Sequence, residues 1–418
     1  MDVAIIADDL TGAADSGVQL ARSGYRIAVA FRGSPIPPAQ DLDAVAVDTD
    51  SRPLPAGLAA KRVAEAGYAA REAGVVYKKI DSTLRGPIGA ELAAALSATR
   101  RTKVLVAPAF PSTGRTTKDG VQLVHGEPVH ETGLVRDPRT PVLESHIPSL
   151  LSGAFRSIAT LSVARVREDS PVWKALNNND CVVADAESDA DLEALVQAVP
   201  DPSSVLWVGS AGLVRAFGKV YPGPRDDALL QALSPASHVL AVVGSVNEVA
   251  RDQLHRLACE PGIDAVSLDT AALAGGLYRQ AVGEATEAVR TALSGNRGVV
   301  LHSASGEEVD RALREGPVSR DEISGRVADA LAEVVAGLSG EDLFGALVLT
   351  GGDTAVRVAR ELGATGILLR GEVEAGVPIG ILIGPRPYPV VTKAGGFGGP
   401  DTLREAFHAL TSTRKDEE

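Results

Sequence analysis

Cysteine is scarce in this 418-residue chain: two residues, Cys181 and Cys259. Two thiols make no disulfide framework, no zinc quartet and no Cys-x-x-Cys pair; small buried or half-buried side chains account for both. Aromatic residues are only 4% of the chain. No apolar run approaches the roughly 20 residues that cross a bilayer. The opening MDVAIIADDL has no basic stretch, and its apolar run is too short for a secretory leader. Positive charge is in deficit as well, with 41 Lys and Arg against 54 Asp and Glu, net −13. Without any Lys/Arg block, nucleic acid is disfavoured as a partner. These absences imply a soluble cytoplasmic protein with a small-molecule partner, no membrane and no nucleic acid, and leave a homo-oligomer open. An anionic ligand would need a local cationic cluster.

What the chain has is glycine (43 residues) and a hydrophobic fraction of 45%. Short β-type runs alternate with Ala/Leu/Arg/Glu helical patterns, the signature of βαβ units. The expected fold is α/β with two domains, each a mostly parallel sheet flanked by helices, and a site in the cleft between them. Strands are expected at 3–7, 26–31, 44–47, 74–77, 103–107, 181–184 and 205–208. A second series is expected at 238–243, 262–268, 298–303, 346–350, 366–370, 379–383 and 389–393. Helices are expected over Ala13–Ser23, Leu54–Ala73 and Gly86–Thr99. The Pro/Gly-rich YPGPRDDALLQALSPAS separates domains 1–232 and 238–410, and the charged tail TSTRKDEE reads as frayed.

In open α/β sheets, ligands gather where strands exit into loops. ADDLTG follows the first strand. A helix N-cap needs one acidic residue, so the Asp8–Asp9 pair suggests a base or hydroxyl-orienting carboxylate. DTDSR follows the third strand and carries Arg52, suited to gripping a carboxylate, with a surface ion pair as the bland reading. An aspartyl-phosphate phosphatase built on Asp48 and Asp50 is the rival, but Arg52 stands where that motif wants Thr or Val. KKIDSTLR follows the fourth strand with Lys79, Asp81, Ser82 and Arg85; Ser82 or Thr83 is expected to cap the next helix, with Lys78 a spectator. The loop 108–120 reads as ordered but irregular. GSAG (209–212) reads as a backbone anion cradle rather than a hydrolase elbow. HGEPVHET (125–132) lacks zinc spacing and reads as a polar hairpin or loop.

The second half offers glycine loops instead: VVGSVNEV, LTGGDTA and TKAGGFGGPDTL. Glycines admit close backbone approach, and a following helix presents free N–H groups and its positive dipole end. Neither the P-loop nor the dinucleotide fingerprint is present. This division suits an organic acid in the first half and a nucleoside triphosphate in the second. A two-lobed organic-acid binding protein is the non-enzymatic rival, and it leaves these loops unexplained.

Taken in order, IIADDLTGAADSG, DTDSR, YKKIDSTLRGPIGAEL, APAFPSTGRTTKDG, VGSAGL, VVGSVNEVARDQL, LTGGDTA and TKAGGFGGPDTL resemble the four-carbon acid sugar kinases (tetronate kinases) over residues 3 to 408. The resemblance implies an N-terminal substrate domain and a C-terminal nucleotide domain. It further implies ATP-dependent phosphorylation of the terminal hydroxyl of D-threonate, D-erythronate or a 3-oxo-tetronate. It places substrate contacts at Asp8 or Asp9, Arg52, Lys79, Ile80, Asp81 and Ser82. ATP contacts fall at Ser245, at Gly351, Gly352, Asp353 and Thr354, and at Gly395, Gly396 and Gly398. The loops depart mildly from the family's pattern, with Asp353 for a common Glu and KAGGFG for KSGNFG. In the mechanism expected, Arg52, Lys79 and Arg85 anchor the acid and offset charge. Asp8, Asp9 or Asp81 takes the hydroxyl proton, Asp9 being favoured. Asp353 holds Mg²⁺ through water, and the domains close over ATP.

Overall fold

The computed structural model describes residues 2–37, 42–136, 140–168, 171–224, 233–245, 247–295, 298–303 and 320–411. Residues 225–232 of the expected junction (221–237) and most of the charged tail (412–418) lie outside the described residues. The chain forms two compact units, Met1–Ala228 and Leu229–Glu418.

The first unit is built on β1 (Val3–Ala7), β2 (Ile27–Ala30), β3 (Ala44–Asp48), β4 (Val75–Lys79), β5 (Lys103–Ala107), β9 (Ile158–Leu161), β10 (Cys181–Ala184) and β11 (Val205–Gly209). They lie in the order β2-β3-β1-β4-β11-β5-β10-β9, all parallel. Central strands are apolar over most of their length because helices cover both faces. Helix α1 (Leu10–Arg22) follows β1, α2 (Ala56–Ala70) follows β3, and α3 (Ile88–Thr99) follows β4. Ile6, Val76, Ile80, Leu92 and Val104 fill the core on the α2–α3 side.

Three local expectations change. The fourth strand runs two residues past its apolar stretch, because both neighbours continue the ladder: Lys79 is in register with Ala7 on β1 and Gly209 on β11. Helix α3 starts at Ile88 with Pro87 at its N-cap and no side-chain cap. Neither Ser82 nor Thr83 caps it: Leu84 at φ +60° separates them from the helix, and the Thr83 hydroxyl bonds to Asp81 instead. The loop 108–120 contains β6 (Arg115–Lys118), which pairs with β7 (Val121–Val124), and β7 in turn pairs with β8 (Glu127–Pro128) in a small antiparallel sheet. His125 and Gly126, at φ +50° and +88°, form its second turn, so HGEPVHET begins as a hairpin.

The second unit holds β12 (Val239–Val243), β13 (Ile263–Leu268), β14 (Gly298–Ser303), β15 (Ala346–Thr350), β16 (Gly366–Glu374), β17 (Val377–Ile383) and β18 (Pro389–Lys393). Their order is β13-β14-β12-β15-β18-β17-β16. The first five are parallel; β17 runs antiparallel to both β16 and β18. Among the described residues no helix is long and apolar enough to cross a membrane.

Candidate functional site

In the first unit the exits of β1, β3 and β4 bring Asp8, Asp9, Arg52, Lys79, Asp81 and Arg85 together. Arg52 is the hub. Its Nε donates to Asp8 Oδ2 at 2.6 Å, its Nη1 lies 2.6 Å from Asp9 Oδ2, and its Nη2 lies 3.7 Å from Asp81 Oδ1. The backbone fixes this geometry, since Ser51 N and Arg52 N both donate to Asp8 O, at 2.9 and 3.2 Å. Arg85 grips Asp81 with two bonds, Nε to Oδ2 at 2.7 Å and Nη2 to Oδ1 at 3.1 Å.

Strand alternation sends Lys78 and Lys79 to opposite faces. Lys79 turns toward α1, where its Nζ lies 2.8 Å from the point a Cβ on Gly12 would occupy. It is 4% exposed, and among the described residues its ammonium has no hydrogen-bond or ion-pair partner. Asp8 is 2% exposed, and its Oδ1 likewise has no partner. Two buried groups of opposite charge thus keep unused bonding capacity, a costly state suited to a polar ligand.

The three carboxyls differ. Asp9 is the N-cap of α1, its Oδ1 accepting from Gly12 N at 2.7 Å, while Oδ2 faces Arg52. Burial raises its carboxyl above the usual range; Arg52 opposes this and neighbouring Asp8 reinforces it. Burial would also raise Asp8, but Arg52, Lys79 and Lys78 outweigh it and hold the carboxyl below the usual range. Asp81 is held far below it, because Arg52 and Arg85 overcome its burial. Of the three, only the Asp9 carboxyl is shifted upward.

The other expected contacts are more constrained. Ile80 N donates to Gly209 O at 2.9 Å, so its carbonyl alone is available. The Ser82 carbonyl accepts from Gln122 Nε2 at 2.8 Å. GSAG is filled by its own unit: Ser210 caps the helix Ala211–Val220 and donates to Ala109 O. A Cβ on Gly212 would strike Ala109 O at 2.6 Å. These glycines allow backbone contact, and the anion-cradle reading is corrected accordingly. Asp48 and Asp50 do not form a nucleophilic pair. Asp48 is 2% exposed; burial, together with Asp9, Asp50 and Asp8, pushes it up to about 7 despite a bond from Asp50 N. Asp50 is tied to Arg62 at 3.0 Å and Arg32 at 3.5 Å.

In the second unit the loops after β12, β15 and β18 converge. A Cβ on Gly395 would overlap Ser245 Oγ, one on Gly396 would lie 3.4 Å from Asn247 Nδ2, and one on Gly244 would overlap Thr354 Oγ1. Gly351 N donates to Lys393 O at 2.9 Å, joining the second and third loops. Gly351, at φ +101°, opens the helix Gly352–Glu361 with no side-chain cap, and Gly352 and Asp353 are exposed at its first turn. Uncapped N–H groups at a helix start suit an anion. Gly398 has a structural reason of its own, at φ +86° against Thr402 and Glu374.

Three contributors to this cradle went unread in the sequence. Asn247 caps the helix Glu248–Ala258. Gln253 Nε2 holds Phe397 O and Gly399 O, at 3.1 and 2.6 Å. Lys393 is buried, its Nζ donating to Ala394 O at 3.0 Å, and burial lowers it to about 8. All three lie inside the quoted motifs, and a polar residue flanking a glycine loop is the available signal for Asn247 and Lys393.

Known proteins match this division. A family profile described as "Sugar-binding N-terminal domain" matches residues 3–217, and one described as "Nucleotide-binding C-terminal domain" matches 240–403. The D-threonate kinase of Salmonella typhimurium is 34% identical over 98% of both chains. That of Bordetella bronchiseptica is 36% identical over 99% of this chain and 98% of its own. Further relatives are named D-erythronate kinase and 3-oxo-tetronate kinase. A solved Salmonella typhimurium structure superposes with a TM-score of 0.83 at 22% identity, covering 98% of this chain and 99% of its own, and shows the same fold. With both profiles matched and full-length kinase relatives above 30% identity, the chain belongs to the four-carbon acid sugar kinases, phosphotransferases with an alcohol group as acceptor.

Proposed function

We propose that the protein transfers the γ-phosphoryl group of ATP to the terminal, 4-hydroxyl of a four-carbon acid sugar such as D-threonate, D-erythronate or a 3-oxo-tetronate. The residues before the junction hold the acid and those after it hold the nucleotide. The observation that carries the reading is the unpartnered ammonium of Lys79, buried beside the Asp8–Asp9–Arg52 cluster. Arg52 is already engaged by three carboxylates, which makes Lys79 the better anchor for the acid's carboxylate. Arg52 and Arg85 then keep three acidic side chains compatible with an anionic substrate.

Asp9 is the base that takes the hydroxyl proton. Its carboxyl is raised, and its side chain keeps 28% exposure, so a hydroxyl can reach it. Asp81 is too weakly basic for that work and serves to orient.

The nucleotide fits the uncapped helix at Gly352 and the glycines 351, 395 and 396, where backbone N–H groups meet the phosphates. When bound, ATP with magnesium supplies the phosphoryl group and offsets its charge. Asp353, exposed at the first turn, suits a Mg²⁺ that is otherwise held by phosphates and water. Gly398 contributes through loop shape alone.

An ADP-release screen over threonate, erythronate, their 2- and 3-oxo forms and glycerate tests the proposal. ATP-dependent turnover with a four-carbon acid is expected, with the phosphate on O4 by NMR. Turnover with none of them, or phosphate on another oxygen, overturns it.

A further inference from the structure

Lys78, on the opposite face of β4 from Lys79, is not a spectator. It is 0% exposed, pairs with Glu91 Oε2 on α3 at 2.8 Å, and donates to Lys79 O at 2.8 Å. Glu91, also buried, uses its other oxygen to accept from Ser51 Oγ at 2.6 Å. Ser51 Oγ lies 2.8 Å from the Thr49 hydroxyl. Around this chain the layer is apolar, with Ile6, Val76, Ile80, Ile88 and Leu92.

Stability does not explain such a pair. Desolvating two charges costs about what their attraction returns, and apolar replacements of similar volume are often neutral or better. Its connections explain it instead. Glu91 touches two separate segments that each carry a cation of the acid site. Ser51 precedes Arg52, and both amides rest on Asp8 O. Lys78 holds the carbonyl of Lys79 itself. Each cation therefore sits one peptide away from a bond to the same buried ion pair.

We propose that Glu91 and Lys78 are positioning residues that set Arg52 and Lys79 for the substrate's anionic end, with Ser51 as the link. The proposal rests on the reading that Arg52 and Lys79 face the acid. A network of this kind fixes the donors that touch a ligand without touching it itself.

The test compares the full-length enzyme with two variants, on whichever of D-threonate and D-erythronate the wild type phosphorylates. Ser51→Ala leaves the ion pair and the core in place. It should raise KM for the acid about tenfold, leave KM for ATP within twofold and keep Tm within a few degrees. The double variant Lys78→Met/Glu91→Leu makes the layer apolar. It should fold with Tm at or above wild type and still show the raised KM for the acid. Hydrogen exchange read on the peptide spanning residues 44–56 should be faster in both, with or without substrate. An unchanged acid KM in either variant, or equal rises for acid and ATP, overturns the proposal. Absence of ADP release by the wild type defeats the functional reading instead, and the exchange measurement then decides the positioning alone.

Discussion

Lys79 Nζ lies 2.8 Å from where a Cβ on Gly12 would stand. Glycine at the first turn of α1 is what leaves room for a buried ammonium beside the β1 exit. The same Cβ would meet Asp9 Oδ1 at 2.7 Å, so one missing methyl clears the path for a cation and for a helix cap.

Gly12→Ala should accordingly displace Lys79 and loosen the Asp9 cap together. We expect kcat/KM for the acid to fall on the order of 10²-fold, since misplacing a catalytic group by about 1 Å costs that much. KM for ATP should stay near wild type. Steady-state kinetics with each substrate varied in turn checks this, and an active Gly12→Ala enzyme with normal acid KM contradicts the placement of Lys79.

Asp9→Asn and Asp81→Asn should separate a base from an orienting residue. Asparagine keeps the acceptor oxygen for Gly12 N, so Asp9→Asn retains the cap while removing the base; kcat should drop on the order of 10²–10⁴-fold. Asp81→Asn unbalances Arg52 and Arg85, and it should act on the acid KM more than on kcat. Near-normal turnover in Asp9→Asn sinks the assignment of the base.

Gly395→Ala places a methyl on Ser245 Oγ. The loops after β12 and β18 must then part, and KM for ATP should rise at least tenfold while binding of the acid, read by calorimetry without nucleotide, stays unchanged. A parallel loss of acid binding would show that this glycine serves the fold at large.

Asp48 gives a pH-dependent prediction. Its carboxyl is pushed up to about 7 in the folded chain, against about 3.9 when unfolded. Between those values the folded state holds a proton that the unfolded state has released. Stability from this group is therefore present at low pH and lost as pH rises toward 7. Asp48→Asn keeps the acceptor for Asp50 N and cannot ionise. It should be more stable than wild type at pH 8, by on the order of 2–4 kcal/mol, and nearly equal to it at about pH 3. Denaturant titrations at the two pH values measure the difference; an equal gap at both rules out this titration.

Much of this site is legible in the chain. The strand exits after residues 7, 48, 79, 243, 350 and 393 are where composition turns from apolar to charged or glycine-rich, and the order of these motifs identifies the family. The roles within each motif are less legible. Ser82 and Thr83 read as caps until Leu84 adopts φ +60°. GSAG reads as a cradle until Ala109 O and the Ser210 cap fill it. A helix N-terminus binds an anion only if nothing in its own unit has claimed the N–H groups first, and that is a property of packing.

The sequence by itself determined the alternation of strand and helix, the separation of a charged half from a glycine-rich half, and the family, because these rest on local pattern and motif order. Tertiary structure alone decided that Lys79 faces α1 while Lys78 faces α3, since β4 reaches Lys79 only through the ladders of β1 and β11. It also ranked three similar aspartates. Burial acts on all of them, but Arg85 bonds to Asp81 while Asp8 and Asp9 share Arg52. A carboxyl's basicity is set by which charges fold against it, and Arg52, 44 positions from Asp8 in the chain, supplies the charge at that one.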